Sequence, residues 1–305
     1  MNDYLATTPF DLYELNLFHL VVKHRSFTKA AAMAGLTQSA ITRQIKGMED
    51  SLGLELLERT TRSVHATAAG EFLYQESARL LGDVGYTLQR LREDYAGARK
   101  EISVGVSRTI ALSYLPGFFH ANLRRTPEIS CRLTHQPSGE ILNALETNAL
   151  DLGVLCPPRR LPRTLRTTHQ FEDAFTLIAP AKGAHELVQT TPTKKALGQW
   201  VPRQNWLLIG EDSNTGQALR PWMKKQGWQV NPIMQLDNFD LIINLVSLGM
   251  GVSFVPIRAL ALYGQKHSIQ RINLKTRFRR QLVVVVRKHR KLPPHLTRFV
   301  ENVLF

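Results

Sequence analysis

The chain has 305 residues, 43% of them apolar and 21% charged, enough for one to three domains with buried cores. No run approaches the roughly 18 uninterrupted apolar residues of a membrane span. The start, MNDYLATTPFDLYELNLF, carries acids where a secretory leader would be basic, so a cytoplasmic protein without membrane contact is expected. Cys131 and Cys156 fit a reducing compartment and cannot by themselves build a disulfide framework or a four-ligand zinc site.

The net charge of +14 invites a nucleic-acid reading, but its distribution is uneven. Residues 1–99 hold 11 Lys/Arg against 12 Asp/Glu, whereas residues 100–305 hold 28 against 13. Between Leu241 and Val300 there are twelve basic residues and no acid. Such a block is most often a solvated face; the functional alternatives are a nearby DNA backbone in the assembled oligomer, which neutralising Arg277, Arg279 and Arg280 would test, and an anionic partner or effector.

In chain order, Asp11 is suited to cap a first helix in which Leu12, Leu15, Phe18 and Val22 form one apolar face. Arg25-Ser26-Phe27 breaks it. Ser26 or Thr28 caps a short Ala-rich helix, Lys29 to Ala34, and Gly35 supplies the left-handed residue that ends it. Thr37 caps a third helix, Gln38 to Leu52, closed by Gly53. Two short helices joined by a Gly-containing turn predict a helix-turn-helix over about 27–46, whose second helix enters a major groove by its N-terminal end. That end carries Gln38, Ser39, Thr42 and Arg43, with Lys46 on the same outward face and Ala40, Ile41, Ile45 and Met48 turned inward. Gln suits adenine, Arg guanine or phosphate, and the hydroxyls are adaptable. The plainer alternative is a helical bundle with a solvated polar face. From Leu54 to Thr67 a strand, a basic turn and a returning strand predict a wing, with Arg59 and Arg62 suited to phosphates or a minor groove.

These residues resemble a known family. Ser26-Phe-Thr-Lys-Ala-Ala-Ala, Leu36-Thr-Gln-Ser-Ala-Ile-Thr-Arg-Gln-Ile, Met48-Glu-Asp-Ser-Leu-Gly, Leu57-Glu-Arg-Thr and Thr67-Ala-Ala-Gly-Glu are similar to the signature of LysR-type transcriptional regulators. Leu57 stands where that family usually has Phe, and Ala66 where it usually has Leu. The resemblance implies that Gln38, Ser39, Thr42 and Arg43 face the groove.

Thr67 to about Ala96 reads as one long helix. Leu73, Leu80, Val84, Leu88, Leu91 and Tyr95 recur at three- and four-residue steps, a seam suited to a coiled coil, although such a stripe could also pack on its own chain. About 30 helical residues make a rod near 45 Å long, more than a small domain covers. The resemblance implies a homodimer through this helix, commonly a homotetramer, and RNA polymerase as a further partner.

Beyond residue 100, strands and helices alternate: strand 101–107, helix 110–124 despite Pro116, strand 129–134, helix 138–148 capped by Ser138, and strand 151–155. Strands 175–179 and 206–209, helix 215–226, strand 233–236, helix 238–248, strands 252–255 and 282–286, and a last helix 293–303 follow. This predicts largely parallel sheets with helices on both faces, and a ligand beyond the strand ends near helix N-termini. Those ends carry Ser107, Arg108 and Thr109; Gln136 and Ser138; Ser213, Asn214 and Thr215; and Phe254. Ordinary capping explains any one of them, but three clusters in two βα halves predict a cleft. Leu115-Pro, Arg125-Thr-Pro127, Asp151-Leu-Gly-Val and Val246-Ser-Leu-Gly-Met-Gly-Val-Ser-Phe-Val-Pro256 resemble the family's effector-binding region. The implied fold is two-lobed and similar to periplasmic solute-binding proteins, with crossings near Phe171–Ala174 and Arg271–Leu274. Asn148 replaces a usual Gly, and Asn tolerates the same left-handed backbone.

The fold expected is therefore multidomain α and α/β: a winged helix-turn-helix over 1–66, a linker helix over 67–99 and an effector-binding domain over 100–305. Its lobe I comprises 100–172 and 273–305, its lobe II 173–272. The expected partners are double-stranded DNA and a small-molecule effector, with no cofactor or metal. Catalysis is disfavoured, since Gly249-Met-Gly251 lacks the third glycine of a dinucleotide fingerprint, Phe254 standing there instead. P-loop, nucleophile-elbow and HExxH motifs are absent, and the histidines show no metal-ligand spacing. A solute-binding protein would not need the first 65 residues. A redox role for Cys131 or Cys156 finds no nearby group that clearly lowers a thiol pKa.

Overall fold

The computed structural model describes residues 9–59, 64–97, 99–110, 129–181, 191–261, 263, 268–289 and 292–303. The chain divides into two units, Met1–Ala98 and Arg99–Phe305.

Unit 1 begins with α1 (Leu12–His24), held at its start by a capping box between Asp11 and Glu14. Its buried face is Leu15, Leu17, Phe18 and Val21, one position round from the face expected; Leu12 is exposed and Val22 half-buried. The Ser26 hydroxyl caps α2 (Phe27–Ala34), which starts two residues earlier than expected, and Gly35 ends it with φ +67°. Thr37 caps α3 (Gln38–Leu52) through the Ala40 amide. Strands β1 (Leu57–Arg59) and β2 (Val64–Ala66) pair antiparallel, the turn between them lying outside the described residues. Glu49 on α3 accepts both the Leu56 and Leu57 amides, at 2.9 and 3.0 Å, and so ties the wing to the helix. Helix α4 (Ala68–Tyr95) follows, capped by Thr67.

Unit 2 contains β3 (Lys100–Ser107), β4 (Ile129–Gln136), α5 (Ser138–Glu146), β5 (Leu152–Leu155) and β6 (Leu165–Pro180). Then come α6 (Lys194–Trp200), β7 (Trp206–Ile209), α7 (Asn214–Lys225), β8 (Pro232–Leu236) and α8 (Phe239–Ser247). It closes with β9 (Ser253–Pro256), α9 (Ile257–Ala261), β10 (Ile269–Ile272), β11 (Arg279–Arg287) and α10 (Pro294–Val303). Most of the helix expected over 110–124, with Leu115-Pro and Arg125-Thr-Pro127, lies outside the described residues.

The sheets are mixed rather than largely parallel. β3 pairs parallel with β4 and β5, and β7 with β8, but β6 and β11 run antiparallel to each other and β11 runs antiparallel to β5. The departure comes from β6, a 16-residue strand of which only 175–179 was expected. Its first half, Leu165–Ala174, pairs with β11; its second half pairs with β9 and β10. One strand thus serves both lobes, crossing between Ala174 and Phe175, and the chain returns between Ile272 and Arg279. In lobe I, α5 covers one face of the sheet with Ile141, Leu142 and Leu145, while α10 covers the other with Leu296, Phe299 and Val300. Asn148 adopts φ 55°, the left-handed backbone anticipated for it. Lobe II closes around Phe175, Leu177, Trp206, Phe239 and Phe254.

Candidate functional site

The first site is built on α3. Its buried face is Ile41, Ile45 and Met48, each at most 1% exposed, which fixes the opposite face in solvent. Gln38, Ser39, Arg43 and Lys46 are exposed there, and Thr42 is half-buried with its hydroxyl donated to the Gln38 carbonyl at 2.8 Å. Thr28 on α2 donates to Gln38 Oε1 at 3.2 Å, and the Thr37 and Ser39 hydroxyls lie 3.1 Å apart. The first turn of α3 is therefore a preset row of polar groups. Arg59 ends β1, and Arg62 lies outside the described residues.

The second site lies between the lobes of unit 2. A cavity of about 120 Å³ is lined by Ser107, Arg108 and Thr109 after β3, by Ser138 and Gly139 at the start of α5, and by Asp212 to Thr215 at the start of α7, with Cys156 and Asp237. Seven of the nine positions expected to form the cleft are brought together there. Gln136 and Phe254 are not. Gln136 ends β4, half-buried, outside the lining. Phe254 belongs to the lobe II core, 1% exposed and stacked on Trp206 and Trp228, in a strand buried along its whole length. Ser138 is the first residue of α5 and not its cap; Pro137 precedes it with no side-chain cap, so the first amides of that helix open on the cavity. Ser213 does cap α7, through the Gly216 amide at 3.0 Å. A Cβ on Gly216 would sit 2.1 Å from the Gly210 carbonyl oxygen, so glycine there lets α7 start tight against the end of β7.

Below the cavity is a constellation the sequence did not reveal. Arg280, at the start of β11, is fully buried and pairs with buried Asp173 of β6 at 2.8 Å. Its guanidinium also donates to the Thr109 hydroxyl (3.0 Å), the Thr109 carbonyl (2.9 Å) and the Thr215 hydroxyl (2.8 Å). Its carbon lies 5.2 and 5.5 Å from the ring centres of Phe175 and Phe239. One side chain thus holds a wall residue from each lobe. The sequence placed Arg280 in a solvated basic block, and burial overturns that reading. Two further contacts join the lobes: Arg108 to Asp237 at 2.8 Å, exposed, and the Asn214 amide to the Cys156 carbonyl at 2.7 Å.

Burial pushes both thiols up. Cys131 reaches about 12, burial being reinforced by Asp151 and Glu101. Cys156 is raised by burial more than Arg280 and the Thr215 hydroxyl lower it. Neither is a thiolate at neutral pH, which removes the usual basis of thiol reactivity. Among the described residues no group of three His, Cys, Asp or Glu could hold a metal ion, and no helix is long and apolar enough to cross a membrane.

Comparison with known proteins agrees with both halves. Residues 12–71 match the bacterial regulatory helix-turn-helix protein of the lysR family, and residues 96–304 match the LysR substrate binding domain. The chain is 28% identical over 289 residues to the uncharacterized HTH-type transcriptional regulator YfeR of Shigella flexneri, covering 93% of this chain and 90% of that protein. It is 27% identical to a probable RuBisCO transcriptional regulator of Thalassiosira pseudonana, covering 83% of each. Its fold is similar to that of full-length CbnR complexed with its target DNA, with TM-score 0.70, 24% identity and coverage of 97% of this chain and 99% of that one. It is also similar to a full-length OxyR variant from Pseudomonas aeruginosa, with TM-score 0.68, 18% identity and coverage of 91% and 89%. With both family domains matched across most of its length, and with a helix-turn-helix in one unit and a lobed α/β fold in the other, the chain belongs to the LysR family of DNA-binding transcriptional regulators, carries an effector-binding domain, and is not an enzyme.

Proposed function

We propose that α3 reads operator DNA through Gln38, Ser39, Thr42 and Arg43 at base edges, with Lys46, Arg59 and Arg62 on phosphates. We further propose that a small molecule seated between the lobes of residues 100–305 alters that binding. The observation that carries the first part is the two-sided character of α3, apolar residues buried on one side and a row of amide, hydroxyl and guanidinium groups exposed on the other. The second is supported by the cavity, whose lining from Ser107, Arg108, Thr109, Ser138, Ser213, Asn214 and Thr215 draws on both lobes. At about 120 Å³ it suits a ligand of few heavy atoms, or a wider cleft seen closed.

A homodimer joined through α4 fits the same reading. Leu80, Val84, Leu88, Leu91 and Tyr95 are exposed along one helix, between 38% and 85%, and a second copy would bury them. A tetramer of two such dimers, RNA polymerase as a partner and a cytoplasmic location extend the proposal on family grounds. Genome-wide mapping of bound DNA with the wild type and with Arg43→Ala tests it. A shared motif that Arg43→Ala loses supports the assignment of α3, and identical maps overturn it.

A further inference from the structure

The positive charge of unit 2 has a place in the fold. Strand register sets Gly105 of β3, Gly153 of β5, Val285 of β11 and Thr167 of β6 in one row. Two residues toward the start of β3, Arg287 pairs with Leu165, and Arg166 stands opposite Val286. The Lys288 amide donates to the Thr164 carbonyl at 2.8 Å. Arg163, Arg166, Arg287 and Lys288 are therefore gathered at the end of the lobe I sheet where β3 begins, opposite the end that opens on the cavity. The segment 152–171 supplying two of them holds four arginines and no acid.

The carboxylates near that end are already engaged. Asp151 accepts the Ser103 amide at 2.7 Å, Glu146 accepts the Thr164 hydroxyl, and Glu101 pairs with Arg132 at 3.2 Å. The ion pairs that join Arg108, Arg132, Arg220, Arg279 and Arg280 to acids leave Arg163, Arg166 and Lys288 out.

We propose that this end of lobe I is a second DNA contact, one that grips backbone phosphates beside the operator without reading sequence. It rests on the chain's being a DNA-binding regulator and not on which residues of α3 touch bases. Phosphate neutralisation supplies much of the affinity for DNA, yet residues 1–99 are net acidic by one charge. Three of the four side chains are arginines, whose planar fork matches phosphate oxygens in pairs. The patch lies at the end of lobe I from which the chain leads back to the DNA-reading unit. Because the patch is tethered to α3 by the same chain, weak contacts to flanking phosphates would suffice once α3 is bound. A cleft effector is the wrong occupant, because none of the four residues lines the cavity.

The test measures salt-dependent affinity of the full chain for two fragments around a mapped operator, one trimmed to the protected core and one with about two helical turns of flank on each side. The wild type should show a steeper salt slope on the longer fragment. Arg163→Gln/Arg166→Gln/Lys288→Gln should abolish that difference, lowering the slope by about 0.9 for each phosphate released, about 2–3 in all. Because Arg166 is half-buried, Arg163→Gln/Lys288→Gln is run beside it and should lose part of the difference with an unchanged melting temperature. Lys195→Gln/Lys224→Gln/Lys225→Gln, which removes as much charge from exposed positions of lobe II, should keep it. The proposal is overturned if the patch variants keep the wild-type slope and length dependence, or if the lobe II variant loses as much. It is overturned equally if DNA binding is intact while transcriptional output falls, which would assign the patch to an acidic protein partner.

Discussion

Arg43 stands on the second turn of α3 with its side chain in solvent and no role in the core beneath it. Removing it should therefore act on DNA and not on folding. Arg43→Ala is expected to weaken operator binding by about 1–3 kcal/mol while the melting temperature stays put; fluorescence anisotropy with wild-type affinity would take Arg43 out of the interface. Arg280 is the opposite case. Arg280→Met leaves Asp173 charged and unpaired in the interior, a loss of about 3–5 kcal/mol that denaturant unfolding should register. Adding Asp173→Leu should recover much of it, and a double variant no more stable than the single would show that the ion pair is not the cause. This pair was illegible in the sequence because its members stand 107 residues apart and only the register of β6 on β11 joins them. By contrast the α3 row was legible, since helix periodicity alone decides which residues face out. His19 also titrates abnormally. It is packed on Tyr74 and hydrogen-bonded to Ser77 at 3.0 Å, and burial, with Lys23 and His24 nearby, lowers its pKa below 6.5 while a Tyr74 backbone hydrogen bond partly opposes this. Protons then bind the unfolded chain more readily than the folded one. Unit 1 should hold its full stability above about pH 6.5 and lose it as pH falls through the lowered folded value, a loss that His19→Gln should reduce in pH-dependent melting.

At the scale of elements, the caps explain what could be read in advance. Asp11, Ser26 and Thr37, each expected as a cap, accept an amide in the first turn of the helix they precede, a local pattern that needs no tertiary knowledge. Ser138, expected in the same role, lies inside α5, while Ser213 and Asn238 were not singled out as the caps they are. β6 is the counterexample. Its first ten residues, Leu-Arg-Thr-Thr-His-Gln-Phe-Glu-Asp-Ala, lack a sustained apolar alternation, and β11 holds them as strand through backbone pairing. The start of α7 is equally dependent on its surroundings. Gly216→Ala would drive a methyl group into the Gly210 carbonyl, so α7 must tilt away from β7 and carry Asn214 and Thr215 out of place. The expected outcome is a destabilisation of roughly 1–3 kcal/mol with faster amide exchange at residues 213–216; a variant as stable and as protected as the wild type would show that the close approach relaxes without cost.

Across the whole of unit 2, the cavity is closed by contacts of unequal strength. The Arg280 node is buried and constant in character, whereas Arg108 and Asp237 meet at the rim with about half of each side chain in water. An exposed pair contributes at most about 1 kcal/mol, which is about fivefold in a two-state population. That is too little to lock the lobes, yet enough to tune how often they part. An effector can shift such a balance only through its different affinity for the open and closed arrangements, so a weak rim contact sets the starting population on which the effector works. Arg108→Ala should raise amide exchange at the cavity-lining start of α7 by up to about fivefold without changing global stability. The swapped pair Arg108→Asp/Asp237→Arg should bring exchange back toward the wild type, because the attraction is restored with its polarity reversed. If both variants exchange like the wild type, the rim pair is solvated decoration and the closed arrangement rests on the buried node alone.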